Sequence, residues 1–149
     1  MYAASCGLFP DTAAWSELEI RAGLAPIEQL TYSLDGTVLG KIPDVLVELA
    51  DERLTWVEVE NSWRSDKDLK KVVASMRAMT TDKRIAGVHF VTTAPGAKTI
   101  GSRLRKALTH GSSSAWPRQV KELDARIVAQ YVKVFSLNSE TMELLSVAF

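Results

Sequence analysis

Apolar residues in the middle of the chain recur at the spacing of two amphipathic helices. The first helix is marked by a continuous stripe made of Leu69, Val72, Val73, Met76 and Met79. Ser65 suits the N-cap of this helix, and Asp68 three residues later imitates a capping box. The second helix is predicted over residues 97–108, with an apolar side made of Ile100, Leu104, Ala107 and Leu108. Each helix therefore has one face suited to packing against a sheet.

Runs of apolar and β-branched residues predict strands before the first of these helices. Three such runs lie at residues 29–34, 38–49 and 54–60. Between the first two runs, Asp35-Gly36 is typical of a two-residue hairpin turn. Residues 51–53 predict a second turn, so the strands on either side of it should be antiparallel neighbours.

Strands are also predicted in the second half of the chain. Residues 85–92 form an apolar run that is typical of a strand buried on both faces. Residues 127–137 and 141–149 predict a terminal hairpin around Asn138-Ser139, although the first arm could begin as a helix.

A further helix is predicted near the start of the chain, over residues 12–23. Asp11 or Thr12 would cap this helix, and Gly23 stands where a helix stop is expected. Its shared face would consist of Trp15, Leu18 and Ala22. The order helix, three strands, helix, strand, helix and two strands predicts an α/β fold, a mixed central β-sheet flanked by helices. We expect one domain covering residues 1–149.

Composition narrows the class of protein. Apolar residues make up 46% and charged residues 24% of the 149 residues, which is typical of a globular domain and excludes a disordered tail or a fibre. There is no run of 18 apolar residues that could span a membrane, and the start lacks the basic and apolar regions of a secretory signal. With Cys6 as the single cysteine, no internal disulfide can form. We therefore expect a cytoplasmic protein.

Three carboxylates are predicted to meet where two neighbouring strands end. Asp44 follows Pro43 at the bend within the second strand run, and Glu58 and Glu60 end the third. Because strand side chains alternate between faces, Glu58 and Glu60 point the same way, and Trp56 joins that face. Like charges this close destabilise one another unless a cation joins them. Converging carboxylate oxygens are the ligands that Mg²⁺ or Mn²⁺ requires.

This pattern resembles the PD-(D/E)xK nuclease superfamily. The resemblance lies in Pro43-Asp44, thirteen intervening residues and then Glu58-Val59-Glu60, with a helix before this core and a capped helix after it. It spans roughly residues 15–93 and implies a restriction-endonuclease-like fold with an αβββαβ core. One position departs from the family pattern, because Glu60 stands where most members have lysine; some restriction enzymes of the superfamily carry glutamate there.

The resemblance implies metal-assisted hydrolysis of phosphodiester bonds. Asp44 and Glu58 would hold Mg²⁺ or Mn²⁺, which lowers the pKa of a bound water. Glu60 would ligate the metal or help take the proton of that water. Family members often add an acidic residue from the first helix, and Glu17 is the candidate here, with Glu19 as the second choice.

An ordinary structural interpretation stays open beside this one. Asp44 would then be a turn former, and Glu58 and Glu60 the polar face of a half-exposed strand with Arg53 or Lys41 as partners. His89 within its apolar strand is expected to be packed or hydrogen-bonded rather than catalytic. His110 at a helix end is expected to interact with the helix dipole.

The net charge of zero hides a strong asymmetry. Residues 61–121 contain 13 basic and 3 acidic residues, a net charge of +10, and the remainder carries −10. A basic region of this size is typical of a protein that binds a polyanion. The predicted backbone contacts to nucleic acid are Arg64, Lys67, Lys70, Lys71, Lys98, Arg103 and Lys106. Such basic residues also occur as solvated helix faces, and Trp63 and Trp116 could be packed instead of stacking on bases.

Together these features predict a metal-dependent DNA endonuclease, from a mobile element or a DNA-processing system. We expect a homodimer, because one such domain cuts one strand at a time. The first alternative is a catalytically degenerate protein of the same fold that binds DNA or a protein partner. A second is an interaction module in which the acidic face of one copy meets the basic face of another.

Overall fold

A computed structural model of the chain describes residues 12–60, 66–93, 96–110 and 130–147. Within the helices, the side chains of residues 66, 67, 69 and 107–110 also lie outside the description. The elements along the chain are β1 (Ala14–Ser16), α1 (Glu17–Arg21), β2 (Leu30–Leu34), β3 (Thr37–Lys41), β4 (Val45–Glu48), β5 (Leu54–Val59), α2 (Asp66–Thr81), β6 (Ile85–Thr93), α3 (Ala97–His110), β7 (Val132–Leu137) and β8 (Leu144–Val147).

Six of the strands form one mixed sheet, in the order β1-β4-β5-β6-β7-β8. The central pairs β5–β6 and β6–β7 are parallel, and the pairs β1–β4, β4–β5 and β7–β8 are antiparallel. The strands β2 and β3 form a separate antiparallel pair. The prediction of an α/β fold with a mixed sheet is thereby confirmed.

The two tight turns predicted between the early strands are present. Asp35 and Gly36 both have positive φ, 51° and 77°, as a two-residue turn of the primed type requires. In the second turn, the Leu49 N–H donates to the Arg53 carbonyl at 2.7 Å, and Glu52 has a φ of 65°. The second turn joins β4 to β5 as antiparallel neighbours, as expected.

The predicted helix over residues 12–23 is much shorter in the structure. Ala14–Ser16 pairs with β4, with Trp15 opposite Leu46, and the helix begins only at Glu17. Ser16, rather than Asp11 or Thr12, is the N-cap, and it forms a reciprocal capping box with Glu19. The helical spacing was misleading because a neighbouring strand supplies backbone partners to the first part of this segment. Leu18, expected inside, is 78% exposed.

The two longer helices pack on the same face of the sheet. Their predicted apolar stripes are buried at Val73, Met76, Met79, Ile100 and Leu104, in one core with the sheet residues Trp56, Val88, Phe90 and Val134. Because β5-α2-β6 connects parallel strands, a right-handed crossover places the helix over this face. Ser65 and the side chains of Leu69, Ala107 and Leu108 lie outside the described residues.

The opposite face of the sheet carries a second, smaller core made of Val45, Val47, Val57, Val91 and Phe135. His89 in β6 lies on this side, with its ring centroid 5.0 Å from that of Phe135. Burial lowers the pKa of His89 to about 4, and Lys133 opposite it on β7 adds to the effect. This agrees with the expectation of a packed histidine.

The terminal hairpin is present as β7 and β8, which pair from Val134 opposite Val147 to Leu137 opposite Leu144. Asn138 accepts a hydrogen bond from the Glu140 N–H in the turn, at 3.0 Å. Residues 127–129, where the first arm was predicted to begin, lie outside the described part. Among the helices of the described segments, none combines the length and apolar character needed to cross a membrane.

Candidate active site

Asp44 lies at the point where the β4–β5 ladder ends. Its backbone N–H donates to the Val57 carbonyl at 3.1 Å, and its side-chain Oδ2 accepts from the Val59 N–H at 2.7 Å. A carboxylate oxygen thus accepts from a backbone N–H of β5 just beyond the last pair of the β4–β5 ladder. This bond fixes the Asp44 carboxylate beside the last residues of β5.

Glu58 lies on the same face of β5 as Trp56, as strand alternation predicts. The Trp56 indole Nε1 donates to Glu58 Oε1, and the Lys41 ammonium lies 2.8 Å from Oε2. Trp56 is fully buried, and only 13% of the Glu58 side chain is exposed. Both carboxylate oxygens of Glu58 therefore have a donor in a site that is largely screened from water.

The Asp44 carboxylate is bound to the N–H of Val59, the residue after Glu58, and its negative charge acts on Glu58. Burial raises the pKa of the Glu58 carboxyl above its ordinary value. The Lys41 ammonium and the Trp56 N–H act in the opposite direction, and the negative charge of Asp44 raises this pKa further. The structure thus brings together two of the predicted carboxylates, Asp44 and Glu58.

Among the residues that the structure describes, Lys41 places a cation in this site. It is the last residue of β3, three residues before Asp44, and 27% of its side chain is exposed. Its contact with Glu58 agrees with the ordinary structural interpretation, in which Lys41 is an ion-pair partner of the strand carboxylates. The available signal was its position just before Pro43-Asp44, at the end of a hairpin arm that leads into the site.

Glu60 follows Glu58 one step further along the same edge. Its backbone N–H donates to the Val91 carbonyl at 2.8 Å, which extends the parallel ladder one residue past β5. Glu60 is partly buried.

Glu17 contacts the site through its backbone rather than through its carboxylate, and the Glu19 carboxylate is bound to Ser16. The Glu17 N–H donates to the Asp44 carbonyl at 3.0 Å, while the Glu17 carboxylate accepts from exposed Arg21 at 2.6 Å. The Glu19 carboxylate accepts from Ser16, whose hydrogen bonds lower the pKa of Glu19. Among the side chains that the structure describes, no group of three or more acidic, histidine or cysteine residues could hold a metal ion. The third ligand predicted from Glu17 is not in place.

The predicted nucleic-acid contacts are partly described. Lys71, Lys98, Arg103 and Lys106 are exposed and Lys70 is partly buried, whereas Arg64 and the Lys67 side chain lie outside the described residues. The stacking candidates Trp63 and Trp116 also lie outside them. The strands β5 and β6 are parallel, so both end at the same edge of the sheet, where Glu58 lies. The helices α2 and α3, which follow these strands, therefore both begin near this edge. Lys98 in the first turn of α3 is therefore at the same edge as the two carboxylates.

An open cleft of about 500 Å³ lies between the end of α1 and the segment that leads into Asp44. Ile20 and Ile42 contribute its apolar part, and Arg21, Glu28 and Gln29 its polar part. Ile42 directly follows Lys41, so this concave surface begins next to the site.

Comparisons of the chain with protein-family models, with curated proteins and with solved structures find no match.

Proposed function

We propose that this protein is a metal-dependent DNA endonuclease with a restriction-endonuclease-like domain. The observation that carries the proposal is the convergence of Asp44 and Glu58 at the ends of adjacent antiparallel strands. Glu58 is buried enough that the pKa of its carboxyl is raised. Two acids held together in this way are costly unless cations compensate both, and the Lys41 ammonium is in contact with Glu58.

Two carboxylates from the protein, those of Asp44 and Glu58, are enough to bind Mg²⁺ or Mn²⁺. Mg²⁺ is usually held by one or two carboxylates, with water and substrate phosphates completing its shell. Asp44 and Glu58 would be these ligands. When bound, the ion would act as a Lewis acid and lower the pKa of a coordinated water. A third protein carboxylate, as first expected from Glu17, is not required.

The protein's own residues prepare the site for this chemistry. The Val59 N–H orients Asp44, and the Trp56 N–H orients Glu58. Glu60, next along the edge, is the group proposed to take the proton of the attacking water, and in this proposal it functions in place of the family's lysine. Glu17 would become a metal ligand only if its carboxylate broke the ion pair with Arg21.

DNA is the proposed substrate because of the distribution of positive charge. The exposed basic residues Lys71, Lys98, Arg103 and Lys106 belong to the two helices that begin at the carboxylate edge. Contacts of this kind go to phosphates and not to base edges, so the proposed binding is independent of sequence. A homodimer would place two such sites on the two strands of a duplex.

A second candidate function is a catalytically degenerate protein of the same fold that binds DNA or a protein partner. One observation favours it: the Lys41 ammonium already compensates Glu58. In such a protein the site would be a stable ion pair and would need no metal.

A cleavage assay separates these two functions. Wild type, Asp44→Ala and Glu58→Ala are incubated with supercoiled plasmid and with single-stranded DNA, with Mg²⁺, Mn²⁺ or EDTA. The endonuclease proposal expects metal-dependent cleavage by the wild type and none by either variant. No cleavage by the wild type overturns the catalytic function, and DNA binding without cleavage supports the degenerate protein. Cleavage that survives both substitutions overturns the assignment of this site.

A further inference from the structure

The ion pair between Lys41 and Glu58 occupies a place that the proposed reaction requires for a divalent cation. Lys41 Nζ lies 2.8 Å from Glu58 Oε2, and the other oxygen, Oε1, is engaged by the indole of Trp56. We propose that Lys41 is a placeholder cation, which competes with the divalent ion for Glu58 and leaves this carboxylate when the ion binds. This inference rests on the proposed function.

Of the two donors to Glu58 among the described residues, Lys41 is the one that can leave. Trp56 is completely buried in the main core, among residues of β4, β5 and α2, so its indole is held in place. Lys41 is the last residue of β3, in the small two-stranded sheet, and its side chain is 27% exposed. A lysine ammonium is strongly hydrated and ends a flexible four-carbon stem, so its withdrawal to water requires no change of the main sheet.

Simultaneous binding of both cations to Glu58 is unfavourable. A carboxylate has lone pairs enough for two partners, but two cations on one oxygen pair repel each other. Because Glu58 is 13% exposed, water screens this repulsion only weakly. Lys41 is therefore a positioning residue: it keeps Glu58 compensated in the metal-free protein and weakens metal binding in the absence of substrate.

The consequence is a coupling between metal and substrate. A released Lys41 ammonium would remain beside the site, three residues from Asp44 in the chain, where a substrate phosphate supplies a new anionic partner. Divalent metal should then bind more tightly with DNA present than without it, and the difference should depend on the charge at position 41.

Mn²⁺ binding measured by isothermal titration calorimetry at pH 8, without nucleic acid, tests this proposal. The proteins are wild type, the neutral variants Lys41→Met and Lys41→Gln, the charge-conserving Lys41→Arg, and Glu58→Gln as the variant lacking the shared ligand. We expect both neutral variants to bind Mn²⁺ at least about tenfold more tightly than wild type, since a competing charge at contact distance is removed. Lys41→Arg should stay within about threefold of wild type, and Glu58→Gln should bind more weakly.

Two outcomes separate the failure of this inference from that of the proposed function. If wild type binds Mn²⁺ and cleaves DNA, but both neutral variants bind Mn²⁺ no more tightly, Lys41 is not a placeholder cation and the endonuclease proposal stands. If wild type neither binds Mn²⁺ nor cleaves DNA, the proposed function fails and this inference fails with it. Circular dichroism of each variant confirms that only folded protein is compared.

Discussion

Asp44 and Val59 are joined by a hydrogen bond from the Val59 N–H to Asp44 Oδ2, at 2.7 Å and across fifteen residues of chain. The bond ends the β4–β5 ladder with a side chain and holds a carboxylate beside Glu58. A group held in this way by the main chain has both a structural and a chemical role. The two roles can be separated by substitution.

The structural role of Asp44 is measured by comparing Asp44→Ala with Asp44→Asn. Alanine leaves the Val59 N–H without its acceptor, which we expect to lower the free energy of unfolding by about 1–3 kcal/mol. Asparagine keeps an acceptor oxygen of similar shape and should lose less than about 1 kcal/mol. Urea denaturation at pH 7 measures both values. Equal losses in the two variants would show that this hydrogen bond does not stabilise the fold.

The Lys41–Glu58 pair can be tested by a double-mutant cycle. Lys41→Met leaves a mostly buried carboxylate without its cation, and Glu58→Gln leaves the ammonium without its anion, so each single variant should be destabilised. The double variant should recover part of this loss, with a coupling free energy of about 2 kcal/mol, smaller than for a fully buried pair because Lys41 is partly exposed. Additive effects of the two substitutions would contradict a direct interaction.

Much of the fold could be predicted from sequence because local signals and packing agree there. The stripe from Val72 to Met79 and the Asp35-Gly36 turn each have a local cause, and both are found in the structure. The segment at Trp15 could not be assigned in the same way, because its extended form depends on pairing with Leu46, thirty-one residues away. Local spacing carries no information on such a partner.

The candidate site, like the fold, could be predicted from sequence only where local signals determine it. Alternation along β5 and the turn after β4 were enough to place Glu58 near Asp44. The positions of Lys41 and of the Glu17 carboxylate depend on how the β2–β3 hairpin and α1 pack, and on the competition of Arg21 for Glu17. These are tertiary relations between short elements, and spacing along the chain does not determine them.

His89 should make stability depend on pH. Its pKa is lowered from 6.5 to about 4 in the folded protein, so between these values the unfolded state binds more protons. The contribution of neutral His89 to the free energy of unfolding is therefore fully present above pH 6.5. It is lost as the pH falls toward 4, by about 3 kcal/mol in total. Unfolding free energies of wild type and His89→Gln from pH 4.5 to 7.5 provide the measurement. The difference between the two proteins should change across this window, and a constant difference would contradict the burial argument.

The exposed basic residues of α3 should carry DNA affinity. Replacing Lys98, Arg103 and Lys106 together by glutamine removes three charges that lie outside the core. We expect weaker binding, and a slope of log affinity against log salt that is reduced by about 2 to 3. Fluorescence anisotropy with a labelled duplex measures both. Lys83→Gln is the control, because Lys83 is exposed just before β6, at the opposite edge of the sheet from Glu58. If Lys83→Gln weakened DNA binding as much per charge removed, the loss would reflect net charge and not contacts made by α3.

The most direct test of the central claim is the rate of Mn²⁺-dependent plasmid cleavage by Asp44→Asn relative to wild type, with the thermal midpoint of both proteins measured alongside. This substitution keeps the hydrogen bond to Val59 and removes only the charge. If Asp44 and Glu58 form a hydrolytic metal centre, the cleavage rate should fall by about a thousandfold or more, while the midpoint shifts by only a few degrees. A folded Asp44→Asn protein that cleaves at the wild-type rate would contradict the account.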